Sequence, residues 1–155
     1  MVEAALLECS DAPFVQSHSG SNQVRVIPKV ARFGEKDVQR LLGDAAIVRH
    51  RGKIEAAIAN AKATLVVQAD SGSLATLVWS FEPKRRAAPA SFADVAATTP
   101  ESTALSKELL RRGFRFVGPT TCYAAMQSLG IVNDHMKGCH VRKACEDERR
   151  ATIRP

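Results

Sequence analysis

The stretch Arg111-Arg112-Gly113-Phe114-Arg115-Phe116-Val117-Gly118-Pro119-Thr120-Thr121-Cys122-Tyr123 decides how this chain is read. Upstream of it, Thr98-Thr99-Pro100-Glu101 has the marks of a helix start. Threonine can cap, proline is tolerated in the first turn, and an early glutamate meets the positive end of the helix dipole. That helix is expected to run to about Arg112 with Ala104, Leu105, Leu109 and Leu110 buried and Lys107, Arg111 and Arg112 near its negative end. Downstream, Pro119 opens a second helix that reaches Leu129 and is stopped by Gly130. The unit is helix, glycine-bounded turn, helix.

A turn bracketed by Gly113 and Gly118 and leading into a helix start leaves backbone N–H groups outward without intrahelical partners. Such a place receives anions. With the Thr120 and Thr121 hydroxyls close by and Arg111, Arg112 and Arg115 around it, a nucleic-acid phosphate would be well received. Phe114, Phe116 and Val117 are expected to anchor the turn to the core. The same spacing also fits a plain helix connection whose glycines merely permit left-handed backbone.

Outward from this unit the texture is helical. Glu35 to Leu42 is a short helix ended by Gly43, with Val38, Leu41 and Leu42 on one face. A long helix follows, in which Ile47, Ile54, Ile58, Ala61 and Leu65 recur at whole-turn spacings and Asp44 can cap the start. Ser73 to Phe81 is a further short helix. Its Trp79 and Phe81 are read as core packing ahead of base stacking. Glu82 to Ala97, with two prolines and Lys84-Arg85-Arg86, reads as a loop, and the Ser17 to Asn22 run has loop composition. Residues 1–28 are expected to form a poorly fixed arm, 29–139 the helical domain, and 140–155 a charged tail, frayed from Glu146 onward. Strand signals are few and no repeat occurs. The expected fold class is all-α.

The chain has 155 residues, 45% hydrophobic and 25% charged, which excludes a wholly disordered, collagen-like or coiled-coil protein. Its net charge of +6 is unevenly placed. Arg25 against Glu3, Glu8 and Asp11 leaves −2 in residues 1–28, so the remainder carries +8. A basic body favours polyanions, nucleic acid first. No apolar run reaches the length of a bilayer span and no export signal precedes the body, so a soluble, cytoplasmic, monomeric protein with no membrane partner is expected. In that compartment Cys9, Cys122, Cys139 and Cys145 are reduced thiols or metal ligands rather than disulfides.

The motif from Arg111 to Tyr123, followed by Met126-Gln127, Gly130, Val132-Asn133-Asp134-His135 and Gly138-Cys139, resembles the C-terminal half of bacterial 3-methyladenine DNA glycosylase I. Ile47-Val48-Arg49-His50-Arg51-Gly52-Lys53-Ile54, Asn60-Ala61-Lys62-Ala63, Leu77-Val78-Trp79-Ser80-Phe81 and Ala104-Leu105-Ser106-Lys107 fit the same family in the same order. The likeness runs from about Lys29 to Cys139. It implies a helix-hairpin-helix DNA-glycosylase-like domain that excises 3-methyladenine from alkylated double-stranded DNA. It also assigns Gly113, Arg115, Val117, Gly118, Thr120 and Thr121 to the DNA backbone. The implied chemistry is hydrolysis of the N-glycosidic bond after the damaged base is turned out of the duplex.

Family members begin with a segment carrying a Cys and a His for zinc, pocket aromatics and a base-reading glutamate. Residues 1–28 show no counterpart, with Phe14 their only aromatic, so the domain is expected to be N-terminally incomplete and no catalytic residue is assigned. His135 and Cys139 match the family's C-terminal pair of zinc ligands, a spacing that suits one side of a helical turn. The structural zinc site is thus half specified. Cys9 and His18 upstream, or His140 and Cys145 in the tail, are the candidates to complete it. His50 is read as part of a basic face or a phosphate contact, and Arg85 and Arg86 as DNA-touching or solubilising. Glu101 and Glu108 are read as helix-start and surface-pairing groups. Asp134 either orients His135 or caps a final helix.

Overall fold

The computed structural model describes residues 20–84 and 87–155. Cys9, Phe14, His18, Arg85 and Arg86 lie outside them. Seven α-helices appear among the described residues: α1 Gly20–Ala31, α2 Glu35–Leu42, α3 Arg51–Ser71, α4 Leu74–Trp79, α5 Pro100–Arg111, α6 Pro119–Ser128 and α7 Arg142–Ala151. One 3-10 turn, Phe92–Asp94, interrupts the loop between α4 and α5. No strand occurs among the described residues, in keeping with the all-α expectation.

Helix α3 is the axis of the fold because it is apolar over more than one face. Near its start Ile54 and Ile58 meet Val38 of α2, with Val30 of α1 and Phe33, Leu41 and Leu42 closing that cluster. Toward its end Ala63 and Val67 join Leu77 of α4, Leu105 and Leu109 of α5, and Cys122, Tyr123 and Met126 of α6. Val67, Met126 and Ile131 are wholly buried. Each aliphatic side chain removed from water in this way contributes about 1.5–3 kcal/mol.

Helices α5 and α6 end alike. The Gly113 N–H donates to Leu110 O and the Phe114 N–H to Leu109 O. At the other end, the Gly130 N–H donates to Gln127 O and the Ile131 N–H to Met126 O. Both glycines have positive φ, +89° and +70°, and the residue after each, Phe114 or Ile131, is buried. This is the six-to-one and five-to-two closure in which a left-handed residue reverses the chain and an apolar neighbour seals it.

Several local readings are corrected. Helix α3 starts at Arg51, capped by His50, whose Nδ1 accepts the Lys53 N–H at 3.2 Å. The Asp44 carboxylate instead takes the Ala46 N–H at 2.9 Å, a local turn that removes it as a cap and leaves Ile47 and Val48 exposed. On α5 the inward stripe is Ser102, Leu105, Ser106 and Leu109, so Ala104 and Leu110 fall outside it and are exposed. Helix α1 crosses the boundary drawn at residue 28. It packs on α3 through its last turn, and tertiary contact of this kind overrides local composition and an internal Pro28.

The charged C-terminal stretch holds α7 and folds back on the body. Glu82 accepts hydrogen bonds from both Arg149 and Arg154, and the Arg154 guanidinium stacks 5.2 Å from the centre of the Trp79 ring. The stretch read as frayed is thus tied down at two points.

Candidate nucleic-acid interface

The hairpin between α5 and α6 is built by pinning its carbonyls inward. Asn60, on α3, accepts the Arg115 N–H at 2.7 Å through Oδ1 and donates to the Arg115 carbonyl at 3.1 Å through Nδ2. The buried Ser106 hydroxyl on α5 donates to Val117 O at 2.6 Å, and the Cys122 thiol adds a contact to the same oxygen at 3.3 Å. Burial pushes the Cys122 thiol up in pKa, so it stays protonated and able to donate.

Between these pins the chain turns at Phe116, whose φ of +57° is the one positive value at a non-glycine residue among the described residues. Phe116 is 59% exposed. This corrects the expectation that it anchors the turn. Phe114 is buried and Val117 packs at the core's edge, while the Phe116 ring lies out beside His50 and Gly52 at the start of α3. Gly118 has φ −62° and ψ 162°, an extended conformation open to any residue, and a Cβ there would meet nothing within 4 Å. Its openness faces outward, where another molecule can come close.

Among the described residues no acceptor takes the amides of Phe116, Val117 or Gly118. Thr120 and Thr121 sit exposed in the first turn of α6, whose amides lack intrahelical acceptors by geometry. Gly113, Arg115, Val117, Gly118, Thr120 and Thr121 are therefore gathered in one bend, with two distinct tasks. The amides of Gly113 and Arg115 are used inside the protein; those of Val117 and Gly118 have no acceptor among the described residues. Asn60 carried no local signal of its part here, since its partner lies 55 residues away.

The basic rim is partly spoken for. Glu108 binds Arg111 at 2.7 Å and Arg112 at 2.6 Å, and those guanidiniums hold its carboxyl well below the ordinary range, at about 2. Arg112 also reaches Asp70 at 3.9 Å. Arg115 is exposed and has no ion-pair partner among the described residues, which makes it the rim cation most available to a phosphate.

Downstream, the Cys139 Sγ and His135 Nδ1 stand 3.4 Å apart. Two donors on one tetrahedral zinc are separated by about 3.5 Å, so the pair has the spacing of half a site. No group of three or more metal-donating side chains assembles among the described residues, so His140 and Cys145 do not complete a tail set there. Asp134 is drawn toward α6. Tyr123 donates its hydroxyl to the Asp134 carboxylate, and Gln127 donates to the same oxygen at 2.9 Å. Arg142 donates to the carbonyls of Asn133 and His135, which ties the His135 segment to α7.

Residues 25–143 match the protein-family model described as methyladenine glycosylase. Over 114 residues the chain is 47% identical to DNA-3-methyladenine glycosylase 1 of Escherichia coli (strain K12), covering 72% of this chain and 60% of that protein. It is 40% identical to DNA-3-methyladenine glycosylase of Haemophilus influenzae, covering 72% and 61%. Among solved structures, a crystal structure of 3-methyladenine DNA glycosylase I (TAG) superposes with a TM-score of 0.69 at 42% identity, covering 77% of this chain and 70% of that one. The Staphylococcus aureus enzyme, solved for the structural basis of 3-methyladenine recognition, gives 0.70 at 30% identity, covering 75% and 63%. The chain spans about 60% of the length of the curated relatives it matches.

Proposed function

Because the chain belongs to the methyladenine glycosylase family, we propose that it docks the sugar-phosphate backbone of alkylated double-stranded DNA on the 113–118 hairpin and releases 3-methyladenine. The observation that carries the docking is that the Phe116, Val117 and Gly118 amides have no acceptor among the described residues, beside an exposed Arg115 that has no ion-pair partner there. Backbone amides and an α-helix start suit a phosphate and carry no base preference, as expected of an enzyme that must travel along DNA before it finds a lesion.

The reaction breaks the bond between the sugar C1′ and the base. Water's oxygen bonds to C1′, the electron pair leaves with the base, and one proton is released. The methylated base is already cationic and departs neutral, so strong acid catalysis is dispensable. The protein's task is then to hold the extruded base and support positive charge on the sugar.

In this reading His135 and Cys139 supply two donors of a structural zinc, supported by their 3.4 Å separation and by the chemistry of thiolate and imidazole. The protein acts as a monomer in the cytoplasm, where thiols such as Cys122 stay reduced. A second reading, a backbone-binding module without base excision, rests on one observation: the hairpin is held by Asn60 and Ser106 alone among the described polar side chains of α3 and α5, and meeting a phosphate there needs no base pocket. Incubating the pure chain with methylated duplex and separating free bases decides between them. Released 3-methyladenine supports the glycosylase; duplex binding with no released base leaves the module.

A further inference from the structure

We propose that Asn60 and Ser106 are positioning residues for DNA, each holding one hairpin peptide so that its amide faces a backbone phosphate. The inference rests on the docking reading above. The described peptides are all trans, and in a trans peptide the C=O and N–H point in opposite directions. Asn60 draws the Arg115 carbonyl toward α3, so the N–H of the same peptide, that of Phe116, is directed away from it. Ser106 draws the Val117 carbonyl toward α5, so the N–H of Gly118 is directed away in turn. Neither amide has an acceptor among the described residues.

Chain reversal alone does not need these pins. Gly113 and Phe114 already close the end of α5, and Pro119 already starts α6. What the pins oppose is a peptide flip. Phe116 stands at φ +57°, a conformation that side chains bearing a Cβ disfavour. Rotating the Arg115–Phe116 peptide would return Phe116 to negative φ and swing its N–H inward. The Asn60 carboxamide, bonded to both backbone groups of Arg115, holds the disfavoured state in place. The strain is thus kept where an amide must point outward.

The test is a titration of the full-length, nitrogen-labelled chain with a short unmodified DNA duplex, followed by amide NMR and by affinity at several salt concentrations. In the wild type the Phe116 and Gly118 amides are expected to shift on binding. In Asn60→Ala the Phe116 response is lost and that of Gly118 kept, and in Ser106→Ala the pattern reverses, each with affinity roughly tenfold weaker. The salt slope stays unchanged in both, because an amide neutralises no phosphate, whereas Arg115→Ala lowers it by about one. Should Asn60→Ala fail to fold, Asn60→Asp keeps the shape and the acceptor for the Arg115 N–H but exchanges the donor for a carboxylate oxygen, and because it adds a negative charge its readout is the Phe116 amide response rather than affinity or salt slope. If wild type responds at both amides and the variants respond identically, with affinity within about twofold, the positioning role is overturned while hairpin docking stands. If the wild type shows no response at either amide, docking itself falls, and this inference with it.

Discussion

Glu108 in the last turn of α5 and Arg112, the residue that caps that helix, form an ion pair at 2.6 Å in which Arg111 shares the same carboxylate. The pair sits at the last turn before the hairpin, so it withholds two cations from the surface proposed to meet DNA. Glu108→Gln is expected to free them. Duplex affinity should rise severalfold, and the dependence of log affinity on log salt should steepen by about one to two. Anisotropy titrations at three salt concentrations would measure both; an unchanged slope would show that Arg111 and Arg112 lie off the binding face.

The same carboxylate has a pH consequence. Glu108 titrates at about 2 in the folded chain against 4.5 ordinarily, as do Glu35 beside Arg51 and Glu146 beside Arg149. A folded value below the unfolded one means that the stabilisation is complete above pH 4.5 and is lost as the pH falls from there toward 2. Urea unfolding at stepped pH should show a modest loss across that window, since these pairs lie at the solvent-exposed surface, and Glu108→Gln should flatten part of it. A curve as steep in the variant as in the wild type would remove Glu108 from the account.

The two hairpin glycines should separate fold from function. Gly113 stands at φ +89°, where an added Cβ is strained, so Gly113→Ala should cost about 1–2 kcal/mol of stability. Gly118 has an ordinary negative φ and open space around it, so Gly118→Ala should unfold within about 0.5 kcal/mol of the wild type. Its methyl would nevertheless stand between the hairpin and an approaching phosphate, and duplex binding should weaken. A Gly118→Ala protein that binds DNA like the wild type would mean that the backbone approaches elsewhere.

What could be read from the sequence follows from how locally each feature is determined. Helix α2 and the start of α5 are written in adjacent residues, Gly43 after Leu42 and Thr99 before Pro100, and the structure has both. The bend from Gly113 to Gly118 was legible for the same reason. Asn60 was not, because a carboxamide on a helix face looks solvated until its partner 55 residues on is brought to it. Phe116 misled in the opposite sense: an aromatic in a turn reads as an anchor, yet at its own left-handed backbone conformation, φ +57°, it stands exposed. Helix α7 is mostly charged, and its placement depends on Arg149 and Asn133 contacts distant in sequence.

For zinc the expectation is binding with modest affinity through His135 and Cys139, tighter if donors outside the described residues contribute. Competition against a chromophoric chelator should recover bound metal from the full-length chain. Affinity should fall as the pH is lowered, since both donors must lose protons to bind. Cys139→Ala should abolish the competition without altering helix content. Equal zinc binding by wild type and Cys139→Ala would remove this pair as the site.

The clasp at the other end of the molecule gives a spectroscopic prediction. Trp79 is the chain's single tryptophan, so its emission reports one environment, the ring beneath the Arg154 guanidinium. Arg154 also bonds Glu82 through two nitrogens, at 2.8 and 3.1 Å. Arg154→Ala removes the stacked cation and opens that ring face to water. Emission should move to longer wavelength and the unfolding midpoint should fall by a few degrees, with Arg149 still holding Glu82. High salt should weaken the exposed Arg154 pair, so the wild-type emission should drift toward that of the variant as salt is added. Wild-type emission identical to that of Arg154→Ala at low salt would mean that the C-terminal segment does not close over Trp79 in solution.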